Sequence, residues 1–337
     1  MIEKIAIICI SPIGDTLFAT PAIRALRVNL PQARIVILAG ASAFEVLRNN
    51  PYQLELVKII NVCDLYKNLS WVREQHFDLA LGFSRFGSFF TKMCGATYHA
   101  DFSAVEYHAD RSVVEVCQAV LEVAGQKINR SFNDYLATTE YWLRPRDLRM
   151  AEQFLEWSGP LRNQPLVAVH CGGHYFSRKR WPIMRFIELI RHLSREKGYQ
   201  VVLVGGKEDL SSALAVRMAV PETLSAVGML RLSETGALLK RCQLYIGNDS
   251  GPLHLAAALH VPTVALFGPT QPSQFYPYPT EKHRCLIKEF SCQPCYRLGG
   301  AVWQFIPRCT RAYCMEAIDV EEVLNEVESV LKTAMLV

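Results

Sequence analysis

The sequence predicts two successive α/β units, each built on a doubly wound parallel sheet, and three observations carry that expectation. Strand and helix signals alternate through the first half of the chain, the pattern that parallel βαβ units impose. The alternation breaks at residues 158–165, a polar stretch holding Gly159, Pro160 and Pro165, and restarts at once with a new apolar strand. The chain's 337 residues also exceed the roughly 100–200 typical of one domain. The expected division is 1–160 and 161–337, the second unit carrying a cysteine-rich segment at 292–314.

In order, residues 5–10 read as a buried strand, followed by a helix over 21–30 with Thr20 as N-cap and Pro21 in its first position. A strand at 34–38, a short helix at 43–49, a strand at 78–82 and an amphipathic helix at 113–125 ending on Gly125 complete the first unit. The second unit opens with a strand at 166–170, a helix at 183–197 and a strand at 200–204. A helix at 233–241, a strand at 244–246, a helix at 252–259, a strand at 263–267 and a terminal helix at 320–332 follow. Ligands of such open sheets bind outside the carboxyl ends of the strands, so two facing units would hold a substrate in a cleft between them.

Half the residues are hydrophobic and a fifth are charged, which describes a globular protein with ample core. A net charge of +4 is too mild for a nucleic-acid partner, although it suits an anionic substrate. The apolar run at 5–10 is too short for a signal peptide and lacks a small-residue cleavage pattern. No run reaches the roughly 18–20 apolar residues that span a bilayer. The expected location is the cytoplasm, with at most peripheral membrane contact.

The most informative stretch runs from Leu244 to His254: a strand, then Gly247-Asn248-Asp249-Ser250-Gly251, then a helix start at Pro252. Unpaired N–H groups and the positive end of the helix dipole make such a start a phosphate site. Gly251 lets the backbone approach closely, and His254 in the first turn could reach the same oxyanions. The same residues would equally serve a plain capped helix. Ser177-Arg178-Lys179-Arg180-Trp181-Pro182 adds three cations beside a tryptophan, either a diphosphate clamp or solvated surface. Gly205-Gly206-Lys207-Glu208-Asp209 ends a strand, and Glu208 could accept hydrogen bonds from ribose hydroxyls or simply favour a helix start.

Together these pieces carry a resemblance. Ser11-Pro12-Ile13-Gly14-Asp15 with 20–27, then Lys179-Arg180-Trp181-Pro182, then 247–254 continuing to 270, closely resemble, in order, the signatures of the glycosyltransferase family 9 heptosyltransferases. The resemblance spans residues 4 to about 320 and implies the GT-B architecture of two facing Rossmann-like domains, with ADP-heptose as donor and an inner-core lipopolysaccharide acceptor (lipid A–Kdo or heptose). It further implies inversion at the anomeric carbon by direct displacement. One departure stands out: His170-Cys171-Gly172-Gly173-His174 replaces the Pro-Gly-Ala-like turn of many members, leaving the contacts at this turn open.

Asp15 matches the family's catalytic aspartate, and a general base of this kind contributes about 10²–10⁴-fold. Read alone, it would equally N-cap the following helix. Gly14 before it, with Glu208, Asp249, Ser250, Gly251 and His254, makes up the expected donor-binding set. Lys179 and the helix start at 249–254 would stabilise the leaving diphosphate and replace a divalent cation, so no Mg²⁺ is expected to be needed. Asp249 would hold donor hydroxyls or brace the turn. Arg24, Arg27 and Arg85 are candidates for an anionic acceptor group.

Of the eleven cysteines, Cys9, Cys63, Cys94, Cys117, Cys171 and Cys242 read as ordinary core thiols. Cys292 and Cys295, followed by Cys309 and Cys314, have spacing compatible with a tetrahedral, structural Zn or Fe site. Reduced thiols or opportunistic disulfides are the alternative. An iron-containing branch of the resembled family modifies bacterial autotransporter proteins, so a protein acceptor is the rival to lipopolysaccharide. A nicotinamide-dependent oxidoreductase is disfavoured because no G-x-G-x-x-G follows the first strand. A non-catalytic sugar-nucleotide-binding protein would bind donor without turnover.

Overall fold

The computed structural model describes residues 2–106, 110–133, 135–159, 164–173, 178–297, 304–305, 309 and 311–334. The chain divides into two compact units, Met1–Trp142 and Leu143–Arg297 with Gln304–Val337.

The first unit runs β1 (Lys4–Cys9), α1 (Ile13–Asn29), β2 (Arg34–Gly40), α2 (Ala41–Leu47), β3 (Glu55–Ile59), α3 (Val62–Glu74), β4 (Leu79–Gly82), α4 (Arg85–Thr91), β5 (Tyr98–Asp101) and α5 (Val113–Ile128). Its sheet has the order β3-β2-β1-β4-β5 with every pair parallel. Residues Ile5 to Cys9 of β1 are completely buried, as a central parallel strand covered on both faces must be.

Helix boundaries differ from the sequence reading most tellingly in α1 and α5. Helix α1 starts at Ile13, eight residues early, and carries Pro21 in its interior. Pro21 has no N–H for the Leu17 carbonyl, and the Thr20 hydroxyl donates to that carbonyl instead, at 2.7 Å. Thr20 is thus a repair within the helix rather than its cap. Helix α5 continues past Gly125 and ends on Asn129 in the left-handed conformation (φ 53°).

The second unit runs α6 (Pro145–Trp157), β6 (Leu166–His170), α7 (Ile183–Arg195), β7 (Gln200–Leu203), α8 (Leu210–Ala219), β8 (Leu224–Ser225), α9 (Leu232–Leu239), β9 (Leu244–Asn248), α10 (Gly251–Ala258), β10 (Thr263–Phe267), α11 (Pro272–Phe275) and β11 (His283–Ile287). The small antiparallel pair β12 (Tyr296–Arg297) and β13 (Gln304–Phe305), then α12 (Tyr313–Glu316) and α13 (Val320–Ala334), complete it. Its sheet order is β11-β10-β9-β6-β7-β8, again all parallel. The unit boundary lies at 142/143, not 160/161. Helix α6 belongs with the second unit because the Ser233 hydroxyl of α9 donates to buried Asp147 at 2.9 Å. Part of the expected linker, 160–163, lies outside the described residues.

In each sheet the strand order reverses beside the first strand, between β1 and β4 and between β6 and β9. Such switch points open a crevice at the carboxyl ends of the strands.

Candidate active site

Strand β9 ends at Asn248, fully buried, whose amide ties the turn to two other segments. Its Oδ1 accepts from the Trp181 N–H at 3.0 Å, and its Nδ2 donates to the Gly172 carbonyl at 2.7 Å. The next residue, Asp249, is only 4 % exposed, yet its carboxylate is fully engaged. Lys179 Nζ lies 2.6 Å from Oδ2, the Thr270 hydroxyl donates to the same oxygen at 2.7 Å, and His254 Nε2 lies 3.3 Å from Oδ1. Burial would push the Asp249 carboxyl up, but the Lys179 ammonium and His254 outweigh it and hold it well below the usual carboxylate range. His254 is fixed from its other side, Nδ1 standing 3.1 Å from the Tyr278 hydroxyl. Lys179 Nζ also lies 5.7 Å from the centre of the Phe275 ring, within cation–π range.

Asp249 therefore braces the turn from inside. Ser250 is the N-cap residue of α10 and makes no side-chain cap hydrogen bond. First-turn N–H groups of a helix have no partner within it, and the helix dipole adds a partial positive charge. Lys179, with 18 % of its side chain exposed, stands beside this start with its ammonium paired to Asp249.

A second buried cluster adjoins the first. His170, the last residue of β6 and 3 % exposed, stands 3.1 Å from Asp209 Oδ2 through Nε2 and 3.0 Å from Ser250 Oγ through Nδ1. Asp209 also accepts from the N–H groups of Gly206 (3.1 Å) and Gly173 (3.4 Å). Burial opposes its charge, but the His170 contact and those two amides hold its carboxyl below the ordinary value. Arg180 donates twice to the Gly173 carbonyl, at 2.9 and 2.6 Å, and so fixes the same turn.

Lys179, Asp249, Ser250, Gly251 and His254 thus gather at the switch point of the second sheet. Glu208 is exposed just beyond β7, its carboxylate lying over Gly206. Gly14, buried, and Asp15, half-buried, occupy the equivalent place in the first unit, in the opening turn of α1 after β1. Asp15 does not cap that helix; the N-cap residue is Pro12. Trp181 is core, 2 % exposed, with its indole N–H donating to the Ile318 carbonyl at 3.0 Å. His174 and Ser177 lie outside the described residues.

The acceptor-contact reading of Arg24 and Arg27 is corrected by their bonding. Arg24 pairs with Glu140 and donates to the Leu136 and Thr138 carbonyls. Arg27 donates to the carbonyls of Tyr52, Pro31, Ala33 and Gln53. Both guanidinium groups are occupied inside the first unit. Arg85 heads α4. The sequence reading missed Asp209, Thr270 and Tyr278, and met His170 only as a departure from a motif. The signal for Asp209 was present in the glycines around it, since Gly172 and Gly205 both lie against its carboxylate.

Cys292, Cys295, Cys309 and Cys314 line one small cavity of about 30 Å³ together with Arg178, whose Nη1 donates to Cys309 Sγ at 3.4 Å. The Cys295 N–H donates to the Pro269 carbonyl at 2.9 Å. Among the described residues, no three His, Cys, Asp or Glu side chains converge on one ion position, and no disulfide links the cysteines. Cys9, Cys94, Cys117, Cys171 and Cys242 are buried as expected of core thiols, whereas Cys63 is exposed.

The family model glycosyltransferase family 9 (heptosyltransferase) matches residues 99–301, more than half of the chain. The chain belongs to glycosyltransferase family 9. Lipooligosaccharide heptosyltransferase 2 of Haemophilus ducreyi is 35% identical over 133 residues, a segment covering 37% of this chain and 37% of that protein. Lipopolysaccharide heptosyltransferase 3 of Escherichia coli is 25% identical over 285 residues, covering 76% of this chain and 81% of the relative. The solved structure of E. coli ADP-heptose lipopolysaccharide heptosyltransferase II superposes with a TM-score of 0.76 at 21% identity, over 99% of this chain and 100% of that one. Two parallel α/β sheets of this strand order are the GT-B class of fold that the family 9 resemblance implied.

Proposed function

We propose that this family 9 member is an inverting glycosyltransferase that moves heptose from ADP-heptose to an inner-core lipopolysaccharide acceptor. The observation that carries the reading is the β9–α10 turn, where an uncapped helix start stands beside Lys179 over a buried, ionised Asp249. This is the chemistry of a diphosphate site. The similar proteins named lipopolysaccharide and lipooligosaccharide heptosyltransferases support the sugar and the acceptor class.

In the proposed reaction an acceptor hydroxyl oxygen attacks the anomeric carbon, the bond to the phosphate oxygen breaks with inversion, and ADP leaves. Asp15 takes the hydroxyl proton as the new bond forms. It stands in the first turn of α1, just past the carboxyl end of β1. Lys179 and the α10 start meet the charge that grows on the leaving diphosphate, the kind of preorganised electrostatics that removes most of a barrier. Glu208 is assigned to the donor's ribose hydroxyls. With Lys179 in that role, transfer proceeds without Mg²⁺.

A second reading, taken from the iron-containing branch of the resembled family, makes the acceptor a protein hydroxyl, and the cysteine cavity bears on whether this chain holds such a metal. Four thiols facing one small space are a donor set suited to Zn or Fe, although their present spacing is not that of ligands. If the four close on an ion, it braces the segment between β11 and α13 and takes no part in transfer. Metal analysis of protein purified without chelators tests this: about one equivalent of Zn or Fe is expected, and under about a tenth of an equivalent overturns it.

The function is tested by mass-spectrometric transfer assays with ADP- and UDP-sugars against lipid A–Kdo and protein acceptors. Asp15→Ala separates an enzyme from a sugar-nucleotide-binding protein, because it should abolish transfer and leave donor binding intact.

A further inference from the structure

We infer that Asp209 and His170 are positioning residues of the donor site, forming a buried carboxylate–imidazole–hydroxyl chain that orients Ser250 toward a bound diphosphate. The inference rests on the diphosphate reading of the β9–α10 turn. Neither residue sits in the turn itself: His170 ends β6 and Asp209 precedes α8.

The chain is a built feature. Asp209 is 4 % exposed and His170 3 %, so each would be costly to bury without the other. The backbone is shaped to admit the carboxylate. A Cβ at Gly172 would stand 1.8 Å from Asp209 Oδ1, and one at Gly205 would stand 2.6 Å from Oδ2. Only glycine leaves room at these two places. Gly205 also takes φ +151°, a conformation that other residues rarely adopt.

The consequence falls on Ser250. An N-cap serine ordinarily turns its hydroxyl back onto the helix's own first-turn N–H groups. Here Oγ is drawn toward His170 Nδ1, 3.0 Å away, and the Asn248 carbonyl, 3.1 Å away, and makes no cap. The hydroxyl therefore makes no bond to the first turn of α10, where Pro252 has no N–H and the Leu253 and His254 N–H groups turn onto the Ser250 carbonyl at 3.1 and 3.5 Å. The ionised Asp209 only accepts, so Nε2 of His170 is the donor of that contact, and Nδ1 is the nitrogen that faces the serine. A hydroxyl has one proton, which Asn248, His170 and a bound phosphate would each claim. Removing His170 lets the hydroxyl rotate onto the helix start and compete with the ligand.

A double-mutant cycle on nucleotide affinity tests this, using ADP and UDP as probes in calorimetry. Ser250→Ala and His170→Gln are each expected to weaken binding by about tenfold, the size of one hydrogen bond to a charged group. The double variant should bind no more weakly than the worse single, because His170 acts through Ser250. Ser250→Thr, which keeps the hydroxyl, should retain most of the affinity, a rescue that a purely structural role for the chain would not produce. Asp209→Asn offers a second entry to the cycle if His170→Gln does not fold. Losses that multiply to about a hundredfold, or a His170 or Asp209 variant that binds like the wild type, overturn the inference. If the wild-type protein binds UDP instead of ADP, the donor assignment fails while the cycle, run with UDP, still tests the chain. If it binds neither, both fall.

Discussion

Asp249 joins the stability of the second unit to its chemistry. The carboxyl is held below the usual range in the fold, so its ionised form stabilises the native state above the unfolded value of about 3.9, and that contribution is lost as pH falls towards the depressed value. Urea unfolding should show Asp249→Asn less stable than the wild type at about pH 7, with the gap narrowing by about pH 3. A gap that stays constant with pH would contradict the ionised assignment. Lys179 is tied to the same account. Lys179→Met strands a buried carboxylate that Thr270 and His254 still touch, and should cost about 3 kcal/mol as well as most of the transfer activity. Loss of activity with unchanged stability would mean that the 2.6 Å ion pair contributes nothing to the fold. The sequence reading reached both residues because they lie in contiguous, chemically loaded stretches. It did not reach Asp209 or Tyr278, whose partners His170 and His254 lie 39 and 24 positions away.

At the scale of elements, the central strands and helices α2, α5, α7, α9, α10 and α13 were legible because their apolar runs are continuous and flanked by turn residues, whereas α3, α6 and α8 were not read. The start of α1 was not legible, since Pro21 reads as a helix start unless the Thr20 hydroxyl is known to satisfy the Leu17 carbonyl. That hydroxyl also accepts from the Glu140 N–H at 2.9 Å, so Thr20→Val leaves a buried carbonyl and a half-buried amide without this partner. Thermal or urea unfolding should report a loss of about 1–3 kcal/mol, and a neutral result would refute the repair. Gly172→Ala belongs to the same scale. The added methyl would displace the Asp209 carboxylate, so ADP affinity and stability should both fall, and retention of both would show that the β6 turn is looser than the structure has it. Strands β3, β5 and β8 escaped the sequence reading because they are edge strands or lie near an edge, with half-exposed residues and weak alternation.

Over the whole molecule, the two parallel α/β units were legible in the order of strand and helix signals, and the boundary between them was not. The Pro- and Gly-rich stretch after Trp157 marks the loop before β6, while α6 already belongs to the second unit through the contact of Asp147 with Ser233. Among the described residues no helix is long and apolar enough to cross a membrane. The proposed charge balance at the donor turn makes a global prediction: EDTA added to an otherwise Mg²⁺-free assay should leave the initial rate of transfer unchanged. A strict need for Mg²⁺ would remove Lys179 and the α10 start from the phosphate-neutralising role. The proposed heptosyl transfer depends on the site around Asp249. Its most direct test is mass-spectrometric detection of product when wild type and Asp15→Ala are each given ADP-heptose and lipid A–Kdo or its heptosylated form. One added heptose is expected with the wild type and none with Asp15→Ala, both proteins binding ADP alike. Transfer by Asp15→Ala at the wild-type rate, or no transfer from ADP-heptose to any acceptor by the wild type, would contradict it.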